Sequence, residues 1–184
     1  WEAVKQGFDD AVERMPFFRK YLLKIMLSNS TSCRREVRTM KAFLIEPAKP
    51  SRRLRAFFEV ALRWPIDRIA KIFLWPKVLR QLCGGALLFP INGGGAIAPH
   101  VDAFFEALGV EMLVGYGLTE TSPVVSCRRP WRNIRGSSGL PLPGTEFKIL
   151  NLENGVPMKF RQKGRVMVKG PQVMSGYLSN PEAT

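Results

Sequence analysis

The stretch Gly115-Tyr-Gly-Leu-Thr-Glu-Thr-Ser-Pro123 holds the residue types in this chain best suited to chemistry. Glycines on either side of Tyr116 leave its ring open for stacking on a base, a contact worth about 1–3 kcal/mol. Thr119 offers a hydroxyl to a phosphate oxygen. Glu120 offers a hard carboxylate oxygen to Mg²⁺, which binds through one or two carboxylates together with substrate phosphates. The plain structural alternative is a capping Thr-Glu pair ahead of a solvated turn. A second loop, Gly93-Gly-Gly-Ala96, would let a flat ring or a sugar approach the backbone closely, although a tight strand-to-helix turn alone would account for two of its three glycines. Both loops are expected to leave the C-terminal ends of parallel strands, where open α/β sheets bind ligands.

Other site signatures are missing from these 184 residues. There is no GxxxxGK[ST] phosphate loop, no GxGxxG opening a helix after a strand, and Gly136-Ser-Ser-Gly139 lacks the spacing of a nucleophile elbow. His100 is the single histidine, which leaves no Ser-His-Asp triad to assemble. Cys33, Cys83 and Cys127 are far apart and odd in number, which argues against a zinc site or a disulfide framework and for a reducing compartment.

The elements that must position these loops follow from periodicity. Residues 1–28 read as an amphipathic helix that Pro16 kinks or splits, and 29–50 as a loop broken by a short helix. A second amphipathic run is expected from Ser51, a candidate N-cap, to about Leu82. Residues 86–91 suggest a buried strand, Pro99–Leu108 a helix stopped by Gly109, and Val110–Val114 a second strand, together a parallel βαβ unit. From 144 to 177 the period becomes two, with Phe147/Ile149 and Val166/Val168 alternating with polar positions, as in a small antiparallel set.

Charge is unevenly placed. Residues 1–83 carry 18 basic and 8 acidic side chains, residues 84–184 only 10 and 7. A basic, Phe-rich helical segment suits an anionic membrane surface or ordinary packing on the sheet. Arg128, Arg129, Arg132 and Arg135 around Trp131 read as a solvated basic loop rather than a nucleic-acid patch. No apolar run is long enough for a transmembrane helix. The chain opens on Trp1 and stops at Thr184, which reads as a segment of something longer.

Gly94-Gly-Ala96, Tyr116-Gly-Leu-Thr-Glu120, Gly164-Arg-Val-Met-Val-Lys-Gly170 and Gly176-Tyr-Leu-Ser-Asn-Pro-Glu-Ala-Thr184 together resemble the adenylate-forming enzyme superfamily. The nearest likeness is to its AMP-forming long-chain acyl-CoA and acyl-carrier-protein synthetases, plastid members included. The fold class this implies is α/β: a partial adenylate-forming N-terminal domain with a helical segment (1–83), a parallel βαβ nucleotide-pocket segment (84–135) and the start of a small antiparallel β subdomain (136–184). The helical layer would pack on part of a mostly parallel sheet (86–126).

Carried over by resemblance, Gly94, Gly95 and Ala96 line the adenine and ribose pocket, Tyr116 lies against the adenine, and Gly117 is counted with them among the cofactor-binding residues. Thr119 touches the α-phosphate and Glu120 holds Mg²⁺, these two being the catalytic pair. The implied cofactors are ATP/AMP and Mg²⁺, with CoA or acyl carrier protein as co-substrate. A fatty carboxylate would form an acyl-AMP intermediate, and a thiol would then displace AMP. The implied partners are a fatty acid, an acyl carrier protein as one of two acceptors, and a membrane met peripherally by 1–83, with no nucleic acid. The implied setting is intracellular, in a plastid or at a membrane. Asn92 stands where a serine is common, and Arg165 where most relatives have Glu. The phosphate loop and the mobile C-terminal domain lie outside these residues, so the segment alone is expected to be inactive and poorly soluble. The competing readings are a non-catalytic basic module on nucleic acid or anionic membrane, and a superfamily member that adenylates a different acid.

Overall fold

In the computed structural model, which describes residues 1–85, 87 and 89–184, Pro16 divides the first helical stretch into α1 (Glu2–Glu13) and α2 (Phe17–Met40). Proline has no N–H to donate into the preceding turn, so one helix ends before it and another begins after it. α2 continues through 29–40, where composition suggests a loop. The difference lies in tertiary contacts. The Ser30 hydroxyl accepts from the Trp75 indole at 3.1 Å, and Thr31 and Thr39 donate to carbonyls one turn back at 2.8 and 3.1 Å. Buried Glu36 accepts from Arg35 and Arg52 at 3.1 and 2.6 Å. Polar groups that would favour a loop in isolation are thus satisfied inside the helix.

α3 (Pro50–Ile69) starts one residue before Ser51, with Lys49 at its N-cap and no side-chain capping bond. Proline suits this first position because the N–H it lacks would have no partner there. A π-helical turn (Ala70–Leu74) leads into α4 (Trp75–Cys83), which Gly84 ends at φ +70°. A proline ring in a continuous α-helix collides with the carbonyl four residues back; for Pro76 that residue is Ile72, inside the wider turn.

Part of the strand expected over 86–91 lies outside the described residues. β1 is Ile91–Asn92; it pairs in parallel with β2 (Leu113–Gly117) across α5 (Pro99–Ala107), completing the expected βαβ unit. β2 begins at Leu113 rather than Val110 because the Val110 N–H is used by the Phe105 carbonyl at 2.9 Å, closing α5 beyond Gly109. β3 (Val124–Cys127) and β4 (Leu140–Pro141) add antiparallel in the order β1-β2-β3-β4, so the sheet is mixed rather than mostly parallel. β5 (Glu146–Leu150) and β6 (Arg165–Lys169) form a separate antiparallel pair that sets Phe147 opposite Val168 and Ile149 opposite Val166.

One apolar core joins the two halves of the chain. Phe8 and Val12 of α1, Leu23 of α2 and Trp75 and Val78 of α4 pack with Val101, Phe104, Phe105, Leu108 and Met112. Each large side chain buried in this way contributes about 1.5–3 kcal/mol. A polar seam runs beside it. Arg38 of α2 donates to Glu106 at 2.6 Å and to the Asn133 carbonyl, Arg135 pairs with Glu106, and Arg128 pairs with Asp102 at 2.7 Å. The basic loop after β3 is therefore only partly solvated: Arg128 is buried, while Arg132 stays exposed. Burial and the nearby Arg38 push the Arg135 guanidinium down to about 10, against the pull of Asp102.

Candidate functional site

The glycine loop begins where β1 ends. The Asn92 side-chain amide donates to the Gly95 carbonyl at 2.8 Å and closes the loop, a job for which a shorter serine would need different geometry. Of Gly93, Gly94 and Gly95, only Gly94 has a positive φ, +74°. A Cβ on any of the three would meet nothing within 4 Å. The turn itself therefore requires one glycine, and the space beside the other two is open.

β2 carries Tyr116 and Gly117 to the same place. Gly94, Gly95 and Ala96 line one cavity of about 410 Å³ with Tyr116, Gly117 and the residues Arg128, Ser137 and Ser138. The five residues expected to meet the purine and ribose thus share a cavity. Gly117 is fixed by packing as well: the register shifts between Tyr116 and Gly117, and a Cβ there would lie 1.7 Å from the Pro123 carbonyl oxygen.

Thr119 and Glu120 do not line that cavity. They sit in the adjoining 3-10 turn (Thr119–Thr121), one residue beyond β2. The hydroxyl that closes this turn belongs to Thr121, which is buried, accepts from the Leu118 N–H at 2.9 Å and points at the Leu118 and Pro123 carbonyls. Capping is therefore not the work of Thr119 or Glu120. The Glu120 carboxylate accepts from the Tyr177 hydroxyl at 2.5 Å, and its backbone carbonyl accepts from the Met174 N–H at 2.9 Å. The Tyr177 bond holds the Glu120 carboxyl below the usual carboxylate range, and the same bond raises the Tyr177 phenol.

Glu120 suits Mg²⁺ in the mode that uses one carboxylate and leaves the remaining positions to phosphates and water. Among the described residues no group of three or more His, Cys, Asp or Glu is placed to hold a metal without such phosphates. The sequence reading missed Tyr177 and Arg128. Gly176-Tyr177 stands out in the sequence only as part of a motif, with no signal that its hydroxyl returns to Glu120. Arg128 looks like one of four loop arginines until Asp102, 26 residues earlier, is seen facing it.

A model of the AMP-binding enzyme family matches residues 24–178. The chain is 36% identical over its whole length to the chloroplastic long-chain-fatty-acid–[acyl-carrier-protein] ligase AEE15 of Arabidopsis thaliana, covering 26% of that protein. It is 40% identical over 98% of its length to a long-chain-fatty-acid–CoA ligase of Bacillus subtilis, covering 32% of it. The chain thus spans between a quarter and a third of these two relatives. Among solved structures, unliganded O-succinylbenzoate coenzyme A synthetase from Bacillus subtilis superposes with a TM-score of 0.51 at 27% identity, over 59% of this chain and 24% of that one. Apo MatB from Rhodopseudomonas palustris gives 0.50 at 27% identity, over 58% and 21%. The family match runs from α2 through the shared cavity to Tyr177, and the chain belongs to the AMP-binding enzyme family.

Proposed function

We propose that these residues form part of an ATP-dependent ligase that activates a long-chain fatty acid as its acyl adenylate and passes the acyl group to a thiol. The observation that carries this reading is the convergence of Gly94-Gly95-Ala96 and Tyr116-Gly117 on one cavity. In it the purine lies on the Tyr116 ring against the open glycine backbone. Thr119 meets the α-phosphate just beyond the cavity mouth, and Glu120 holds Mg²⁺. When bound, the metal offsets charge on the triphosphate. The chain's own contribution is placement: an aromatic face, a hydroxyl and an ionised carboxylate fixed by Tyr177.

A fatty acid as the acid follows from the ligases the chain resembles, one of which names an acyl carrier protein and the other CoA. Both acceptors remain within the proposal, as does a plastid setting, which the chloroplastic relative favours. The division at residues 83 and 135 into helical, nucleotide-pocket and small-β segments, and peripheral membrane contact through residues 1–83, belong to the same reading.

Gly95 supplies the test. Its φ is not in the left-handed region and a Cβ would meet no protein atom, so Gly95→Ala should leave thermal stability unchanged or slightly raised, by about 0.4–1 kcal/mol. The added methyl would project into space reserved for the nucleotide. Mg·ATP affinity of the whole protein, measured by calorimetry, should fall by about tenfold or more, the equivalent of about 1.4 kcal/mol. Unchanged affinity in a folded Gly95→Ala variant would remove the nucleotide from this cavity.

A further inference from the structure

α3 is turned inside out for a helix of a packed layer. Its inward side carries Ala56 and Asp67, both buried, and is tied to α2 by the Arg34–Asp67 pair at 3.2 Å and by the Asn29 amide on the Arg63 carbonyl at 3.2 Å; Ala70, the first residue of the π turn, is buried likewise. Its outward side carries Leu54, Phe57, Phe58, Leu62 and Ile69, between 53% and 81% exposed, and the π turn continues the row with Ile72 and Phe73. Burial of apolar surface should favour the opposite orientation. Scattered exposed hydrophobics need no explanation, but a continuous row of seven does.

Charge indicates what covers it. Residues 50–83 hold eight basic side chains against two acidic ones. Both acids are paired within the chain, Glu59 with Arg55 and Asp67 with Arg34, while Arg68 stays exposed beside the row. α3 is also the outermost layer: it packs on α2, α2 on α5, and α5 belongs to the βαβ unit. No described helix is long and apolar enough to cross a membrane. An apolar stripe bordered by cations is the geometry of a helix lying in the plane of a membrane interface.

We propose that the outward face of α3 and the π turn docks on an anionic phospholipid bilayer. Phe57, Phe58, Leu62, Ile69 and Phe73 enter the acyl boundary, and Arg68 meets headgroup phosphates. This rests on the peripheral membrane contact proposed for residues 1–83 and assigns it to one face. Juxtamembrane cations of this kind act within a Debye length of the surface, so the contact is salt-sensitive.

The test is cosedimentation of the whole protein with phosphatidylcholine vesicles, with and without phosphatidylglycerol, with Mg·ATP affinity measured in parallel. Wild type should prefer the anionic vesicles. Phe57→Ser, Leu62→Ser and Phe73→Ser combined should lower that partitioning by about tenfold or more, because three apolar insertions are lost. Arg68→Gln should lower it several-fold and reduce its salt dependence. Phe17→Ser with Phe18→Ser, exposed at the start of α2, should leave it within about twofold, and ATP affinity should hold throughout. If wild type binds but the α3 triple variant binds equally well, the face is wrong and the membrane reading stands. If wild type ignores both vesicle types, both fail. If the triple variant abolishes self-association in light scattering and leaves vesicle binding intact, the face covers a second copy instead. Should the triple variant lose ATP affinity, Arg68→Gln, which removes no apolar group, decides.

Discussion

Glu120 and Tyr177 are 57 residues apart in sequence, and one hydrogen bond joins them. The phenol donates to the carboxylate, so the bond favours the ionised form of Glu120 and lowers its pKa. A depressed carboxyl contributes its interaction fully above its unfolded value, about 4.3, and loses it as pH falls through the folded one. Removing the donor should reverse the shift. In Tyr177→Phe the Glu120 carboxyl resonance is expected to titrate at a higher pH than in wild type, and the acid limb of Mg·ATP binding should move the same way. Near neutral pH Glu120 is ionised in both proteins, so affinity there should change little. A Glu120 titration that stays in place would show that Tyr177 does not set its charge. The two glycine classes separate at this scale too. Gly117 is required by a backbone contact and Gly95 is not, a distinction that spacing in the sequence does not carry.

At the level of elements, the site is held by α5 as much as by the strands. Asp102 and Glu106, one turn apart on α5, take three arginines between them: Arg128, which lines the cavity shared by the glycine loop and Tyr116, Arg135, and Arg38 from α2. Arg128 and Asp102 are each 3% exposed at the side chain. Truncating one member of such a pair leaves the other charge buried without a partner, which costs about 3–5 kcal/mol. Asp102→Ala should therefore consume a large part of the stability of a domain whose total is about 5–15 kcal/mol. Urea unfolding would register it, with Arg132→Ala as the exposed control within about 0.5 kcal/mol. A midpoint for Asp102→Ala equal to the control would mean the seam adds nothing to the fold. This seam is also what the sequence hides. Periodicity reveals the βαβ unit and the facing of Phe147 and Ile149 against Val168 and Val166, because those patterns are local. It misreads 29–40 as a loop and Arg128 as solvated, because Ser30, Glu36 and Arg128 owe their states to Trp75, Arg52 and Asp102 far along the chain. The α3 stripe is visible in sequence, but its outward direction is not, since either orientation gives the same spacing.

Across the whole molecule, the proposed site draws on one cavity and the 3-10 turn next to it. The cavity offers an aromatic face and an open backbone; Thr119 and Glu120 sit in the turn that follows β2, and among the described lining residues Arg128 is the one charged side chain, already engaged by Asp102. Phosphoryl-group chemistry depends on several donors and cations aimed at charge that develops on the transferring group, and losing a single such donor costs about 10²–10³ in rate. The relatives that carry ligase names are three to four times longer than the matched stretch, which covers 26% and 32% of them. On the proposed reading, a polypeptide limited to these residues is thus expected to bind Mg·ATP weakly and to show no fatty-acid-dependent ATP–pyrophosphate exchange, whereas the whole protein is expected to bind it more tightly and to catalyse the exchange. Incorporation of labelled pyrophosphate into ATP, with and without palmitate, measures this directly. Exchange above the acid-free background by the 184-residue polypeptide would mean that the needed donors lie inside it, with the seam arginines and the Ser137–Ser138 backbone the first places to look.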